Sequence, residues 1–193
     1  MGSAATKLME PEAFLAWCQT RDERWELVAG IPLEMMTGAS GLHDLIVTNL
    51  IAALKQQLRG GPCRPTTADI AFRTRIRSIR CPDVTVTCDP PRGDVFEARE
   101  PRLVVEVLSP SNKGVAWERK MRECRQHEQL DYILLIDSEL VAATLYTREG
   151  QGWEAADFER RADAIELPRI ACRLSMGEVY DGTDLQEDPE IEA

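Results

Sequence analysis

The sequence predicts an α/β fold: a mixed β-sheet flanked by helices, extended on its N-terminal side by a helix and a hairpin. Three observations predict it. Apolar residues at 42, 45, 46, 50, 53, 54 and 58 keep a helical period from Ser40 to Leu58. Short runs rich in β-branched residues, DVTVTC (83–88), RLVVEVL (102–108) and DYILLID (131–137), read as buried strands. Between the last two lies a helical stretch, roughly 115–127, so that strand, helix and strand make a right-handed crossover beside antiparallel neighbours.

The elements follow in order. Pro11 and Glu12 open a short amphipathic helix carrying Phe14, Leu15 and Trp17, with proline in the turn where helices tolerate it. RWELVAGIPLEMM reads as a hairpin around Ala29 and Gly30. The 40–58 helix has Ser40 as its N-cap and Gly60–Gly61 as its stop. DIAFRTRIRSIR suggests strand over about 68–80, broken somewhere within, and DPPRGD is a turn-rich connection. After DYILLID come LVAATLYTR, a GWEAADF strand and a short helix near Met176 to Tyr180. Residues 1–180 suit one domain, and 181–193 an acidic, frayed tail.

Composition narrows the class. With 44 % hydrophobic and 29 % charged residues, the chain of 193 residues is globular. Neither a signal peptide nor a run of about 18 apolar residues is present, so the expectation is a cytoplasmic protein with no membrane partner. The net charge of −10 argues against a nucleic-acid partner only until its distribution is read. Residues 174–193 hold seven acids and no base, which leaves residues 1–173 with 23 bases against 26 acids, a net of −3. Six cysteines contain no C-x-x-C pair, and with only His43 and His127 beside them no zinc cluster is legible; reduced, mostly buried thiols are expected.

Glu106 stands inside the apolar run RLVVEVL, whose neighbours supply both faces of a covered strand. An unpaired carboxylate there costs several kcal/mol, so it needs a partner or a metal. Asp83, directly after Pro82, heads an adjacent strand, and two like charges brought within a few ångströms repel unless a cation lies between them. Lys120, on the 115–127 helix, can fold back over the end of the Glu106 strand. Two carboxylates with water and phosphate oxygens are a usual set for Mg²⁺. The bland alternatives are a turn-capping Asp83, a structural Glu106–Lys120 salt bridge and a solvent-side Glu26. His43 reads as a helix N-terminal hydrogen-bonding residue and His127 as a surface helix residue. SPSNKG reads as a helix-entry loop or a phosphate seat.

Pro82-Asp83, then Glu106-Val107-Leu108-Ser109-Pro110-Ser111, then Lys120 resembles the Uma-type family of bacterial endonucleases, a branch of the restriction-endonuclease-like PD-(D/E)-x-K superfamily. RWELVAG with Glu26 is similar to that family's YELvdG hairpin, and His43 to its helix-starting histidine, so the resemblance covers most of residues 10–160. It implies a restriction-endonuclease-like fold and a Mg²⁺-dependent (or Mn²⁺-dependent) endonuclease acting on DNA. Asp83 and Glu106 would be metal ligands. Lys120 would orient the attacking water or stabilise phosphate charge, and Glu26 would be an accessory carboxylate. Cutting both strands takes two active sites, so a homodimer is also implied. The chain departs from the pattern at Ala116, where the family commonly carries an aspartate, and at Cys124 in place of a tyrosine. Ala116 motivates the alternative of a catalytically impaired nuclease-fold protein acting as a binding module.

DNA contact needs positive charge. Arg73, Arg75 and Arg77 fall on one face of a period-2 strand, and Arg119 and Arg122 flank Lys120 on its helix. They read either as phosphate contacts or as the wet face of an edge strand.

Overall fold

A computed structural model of the chain describes residues 8–35, 40–93, 96–109 and 115–188, the side chains of 115 and 116 excepted. Pro11–Cys18 forms α1, with proline in its first turn and Phe14 buried. Trp25–Val28 (β1) and Ile31–Glu34 (β2) pair antiparallel. Ala29 (φ 50°) and Gly30 (φ 84°) turn the chain between them with positive φ at both positions, as a tight hairpin favours. Gly30 is also required by packing, since a Cβ there would lie 2.9 Å from Leu8 Cβ. Helix α2, Gly41–Gln57, starts where the sequence places it: Ser40 Oγ accepts the His43 N–H at 3.2 Å, and Ile46, Leu50 and Leu54 are buried.

Six strands follow: β3 (Arg64–Thr67), β4 (Ala71–Arg75), β5 (Ser78–Arg80), β6 (Val84–Thr87), β7 (Glu97–Ala98) and β8 (Pro101–Leu108). Helix α3 (Val115–Arg125) leads to β9 (Tyr132–Asp137), β10 (Ala143–Glu149), β11 (Gly152–Phe158), β12 (Ala164–Leu167), β13 (Cys172–Ser175) and α4 (Met176–Val179). The mixed sheet has six strands in the order β11-β10-β9-β8-β6-β3. Its parallel pair is β8 and β9, bridged by α3 as the sequence predicts. The N-terminal hairpin belongs to a second, five-stranded sheet, β2-β1-β5-β4-β7, and β12 and β13 pair by themselves.

Period-2 alternation sorts β8 cleanly. Leu103, Val105 and Val107 face the larger core, shared with α2, β12, β13 and α4. Val104 faces a smaller core with Met121 and Cys124 of α3 and Phe72 of β4. Glu106 has the parity of Val104, so it is directed toward α3.

Several expectations need correction. The strand read over 68–80 is two strands joined by a turn at Ile76 and Arg77, with a register shift between Arg73 and Arg75. The single-face alternation of Arg73, Arg75 and Arg77 is therefore lost. Strands β3, β7, β12 and β13 have two to four residues each, too few for a period to show. The thiols are not all reduced: Cys63 and Cys88 form a disulfide, while Cys18, Cys81, Cys124 and Cys172 are free. The acidic segment is not free at its start. Arg161 donates to the carbonyls of Tyr180, Thr183 and Leu185, and Gln186 O accepts from Val141 N. His127 follows α3 and packs on Phe72, ring centroids 4.9 Å apart. SPSNKG beyond Ser109, the side chain of Ala116 and residues 189–193 lie outside the described residues. No helix among the described residues is long and apolar enough to cross a membrane.

Candidate active site

The pairing of β6 with β8 sets Val84 against Val105 and Thr85 against Val104. Extending that register by one residue sets Asp83 opposite Glu106, and cross-strand partners share a face of the sheet with Cβ atoms about 5 Å apart. Asp83 Oδ2 accepts the Val107 N–H at 2.8 Å, which ties it to the Glu106 strand, and lies 3.3 Å from His43 Nε2. That partner raises the His43 pKa against the opposing effect of burial.

Lys120 shares a face of α3 with Trp117 and Cys124 (i−3, i+4), both packed in the smaller core beneath the helix. Its amine lies 2.5 Å from Glu106 Oε1 and 3.3 Å from Glu26 Oε1, all three side chains being largely buried. Burial and the charge of Asp83 push Glu106 up, to about 7, although Lys120 pulls the other way. Burial works against the ammonium of Lys120, but Glu106 and Glu26 outweigh it and hold the lysine charged.

Glu26 enters from β1. Its Oε1 accepts the Cys81 N–H at 3.0 Å and its Oε2 takes Arg80 Nη1 at 2.8 Å. Burial alone would raise this carboxyl, yet Lys120, Arg80 and the Cys81 N–H hold it below the usual range. Arg80, 4 % exposed, is in turn 2.9 Å from Glu123 Oε2, which also accepts from Thr74 Oγ1 at 3.1 Å; Glu123 Oε1 takes Arg119 Nε at 3.1 Å. A chain of alternating charges thus links Glu106, Lys120, Glu26, Arg80, Glu123 and Arg119 across both large sheets and α3.

Asp83, Glu106, Lys120 and Glu26 are brought together. The five arginines are not. Arg73 is held by Glu97 at 2.7 Å and Glu12 at 2.9 Å, Arg77 by Glu10 at 2.5 Å, and Arg119 by Glu123. Arg75 and Arg122 are exposed. Arg75, Arg77 and Arg119 line one groove, beside Glu123.

Sequence reasoning missed Arg80, Glu123 and the reach of His43 to Asp83. Glu123 had a signal: it lies three residues after Lys120, on the same helical face. Arg80 had a weaker one: it pairs with Phe72 and shares its parity, opposite to that of Arg73, which turns it toward the buried face. Among the described residues no group of three or more His, Cys, Asp or Glu side chains could hold a metal ion. The opposed pair Asp83 and Glu106 nevertheless suits a hard cation that draws its remaining ligands from water and phosphate. A buried Glu106 whose ionisation is resisted, opposite a partly exposed Asp83, is stabilised by a cation between them.

Comparison with known proteins reaches the same region. Residues 11–176 match the model of the Uma2 family, described as "Putative restriction endonuclease". An uncharacterized protein of Synechocystis sp. (strain PCC 6803) is 31 % identical over 183 residues, covering 93 % of this chain and 95 % of the relative. The crystal structure of "a putative nuclease belonging to DUF820" from Anabaena variabilis superposes with a TM-score of 0.69 over 89 % of this chain and 97 % of its own. At 17 % identity that likeness bears on the fold: a mixed α/β, restriction-endonuclease-like architecture.

Proposed function

The chain belongs to the Uma2 family, and from that premise we propose that it is an endonuclease hydrolysing phosphodiester bonds of DNA with Mg²⁺ or Mn²⁺. The observation that carries the reading is the meeting of Asp83 and Glu106 across β6 and β8 beneath Lys120. Asp83 and Glu106 would hold the divalent ion. When bound, the ion supplies positive charge to the scissile phosphate and acidifies a water at neutral pH.

The chain's own residues do the rest. Lys120 is kept protonated by two carboxylates, so it brings a full charge to the phosphate oxygens as the pentacovalent geometry develops. Glu26 fixes the direction of that amine and is itself fixed by Arg80 and the Cys81 N–H. His43 restrains Asp83 through Oδ2. A homodimer accompanies this reading, because a double-strand cut needs two such sites.

Nicking of supercoiled plasmid with Mg²⁺ and with Mn²⁺ tests it. Lys120→Ala should lower the rate by roughly 10²-fold or more, the scale of losing one charge-stabilising group. Equal nicking by wild type and variant would place the activity elsewhere and end the proposal.

A further inference from the structure

Behind the α3 end of the charge chain lies a groove of about 570 Å³. Leu8 and Ile76 give it mostly apolar walls, Arg75, Arg77 and Arg119 supply positive charge, and Glu123 lies at its side. Glu123, which lines the groove, lies one turn of α3 from Lys120 and is tied to it through Arg80 and Glu26, so the groove adjoins the site proposed for the scissile phosphate.

Ile76 is the unusual member. It occupies the turn between β4 and β5 and is 87 % exposed. Tight turns favour Gly, Asn and Asp, and a β-branched apolar residue there gains nothing from folding. Breaches of a local rule without return in the fold tend to mark functional positions. The flanking charges narrow the partner. In a chain of net charge −10, Arg75 and Arg77 bracket this turn and Arg119 faces it. Glu123 is matched by Arg80 and Arg119, and Glu10 by Arg77, so Arg75 remains as exposed positive charge at the rim. The complement is an anion with apolar faces.

DNA meets that description in one form better than another. Phosphate satisfies Arg75, but apolar walls gain nothing from phosphate or sugar; they gain from the faces of bases. A regular duplex hides those faces in its stack, whereas unpaired nucleotides present them at little cost. Resting on the nuclease reading above, we infer that this groove takes an unstacked nucleobase against Leu8 and Ile76, so that the chain selects DNA with unpaired nucleotides beside the bond it cuts.

The test is fluorescence anisotropy of the full chain in EDTA, so that binding is read without cleavage. Three labelled DNAs of one sequence are compared: an intact duplex, the duplex with a two-nucleotide bulge, and the single strand. The bulged and single-stranded forms should bind about tenfold tighter than the duplex, the scale of burying roughly 55 Å² of apolar surface against Leu8 and Ile76. Ile76→Ser should erase that margin with an unchanged melting temperature, because the side chain is almost wholly in solvent. Equal affinity for all three DNAs, or a margin that survives Ile76→Ser, would overturn the inference while leaving the nuclease reading to the plasmid assay. Binding to none of them would overturn the inference and leave the nuclease reading to the plasmid assay.

Discussion

Arg80 Nε lies 2.9 Å from Glu123 Oε2, with the two side chains only 5 % and 4 % exposed. The same guanidinium holds Glu26 at 2.8 Å, so one buried cation serves a carboxylate from β1 and another from α3. Removing it strands both acids away from water. We expect Arg80→Met to cost about 3–5 kcal/mol in urea unfolding, the usual penalty for breaking a buried pair from one side. The double variant Arg80→Met, Glu123→Leu should recover part of the loss. A cost below about 1 kcal/mol for the single change would mean that Lys120 and Arg119 already neutralise the two carboxylates.

The Cys63–Cys88 disulfide closes a loop of 25 residues that contains β3 to β6. Chain-entropy reasoning gives such a loop a stabilisation of about 3.5 kcal/mol. Dithiothreitol, or the double variant Cys63→Ser, Cys88→Ser, should therefore lower the melting temperature by several degrees. The free thiols of Cys81 and Cys124, each pushed up to about 12 by burial, should resist alkylation at pH 8 in the folded protein. Rapid labelling of both without unfolding would contradict their placement.

His127 gives a pH dependence remote from the carboxylates of the site. Burial, and then Arg148, hold its pKa below the ordinary 6.5. Its Nδ1 accepts the Gln129 N–H at 3.3 Å, an acceptor that a proton would remove. The unfolded chain therefore binds the proton more readily than the folded one. Stability from this group is complete above pH 6.5 and is lost as pH falls below it. In thermal melts at pH 8 and pH 5, His127→Gln should lose less on acidification than the wild type. Parallel losses would show that the imidazole does not contribute.

How much was legible beforehand depended on the range of each signal. Helix α2 has seven apolar positions in period and a serine cap, so sequence and structure agree on its start. The strand, helix and strand from β8 to β9 was equally readable, and with it the return of Lys120 over the Glu106 strand. Asp83, Glu106 and Lys120 could be brought together because each sits on an element with a strong local pattern. Arg80 and Glu123 could not. Their meeting requires two sheets to pack around α3, and the register shift near Thr74 reverses the parity by which Arg73 to Arg77 were read. The Cys63–Cys88 bond escaped for a related reason: it spans β3, a four-residue strand containing proline that leaves no periodic trace.

Cation binding separates an active nuclease from a nuclease-fold binding module, the alternative that Ala116 raises. The Asp83 and Glu106 carboxylates are too few to enclose an ion, so affinity without nucleic acid should be modest, and water should complete the coordination. Isothermal titration with Mn²⁺ should give a measurable heat in the wild type and none in Asp83→Asn, which keeps the volume of the side chain while removing its charge. His43→Ala should weaken binding without abolishing it, since the imidazole lies 3.3 Å from Asp83 Oδ2 and restrains that carboxylate. If the wild type and Asp83→Asn give the same heat, the ion binds elsewhere. If neither gives any, up to millimolar Mn²⁺ and in the presence of a DNA oligonucleotide, then Lys120 alone balances Glu106 and the binding-module reading prevails.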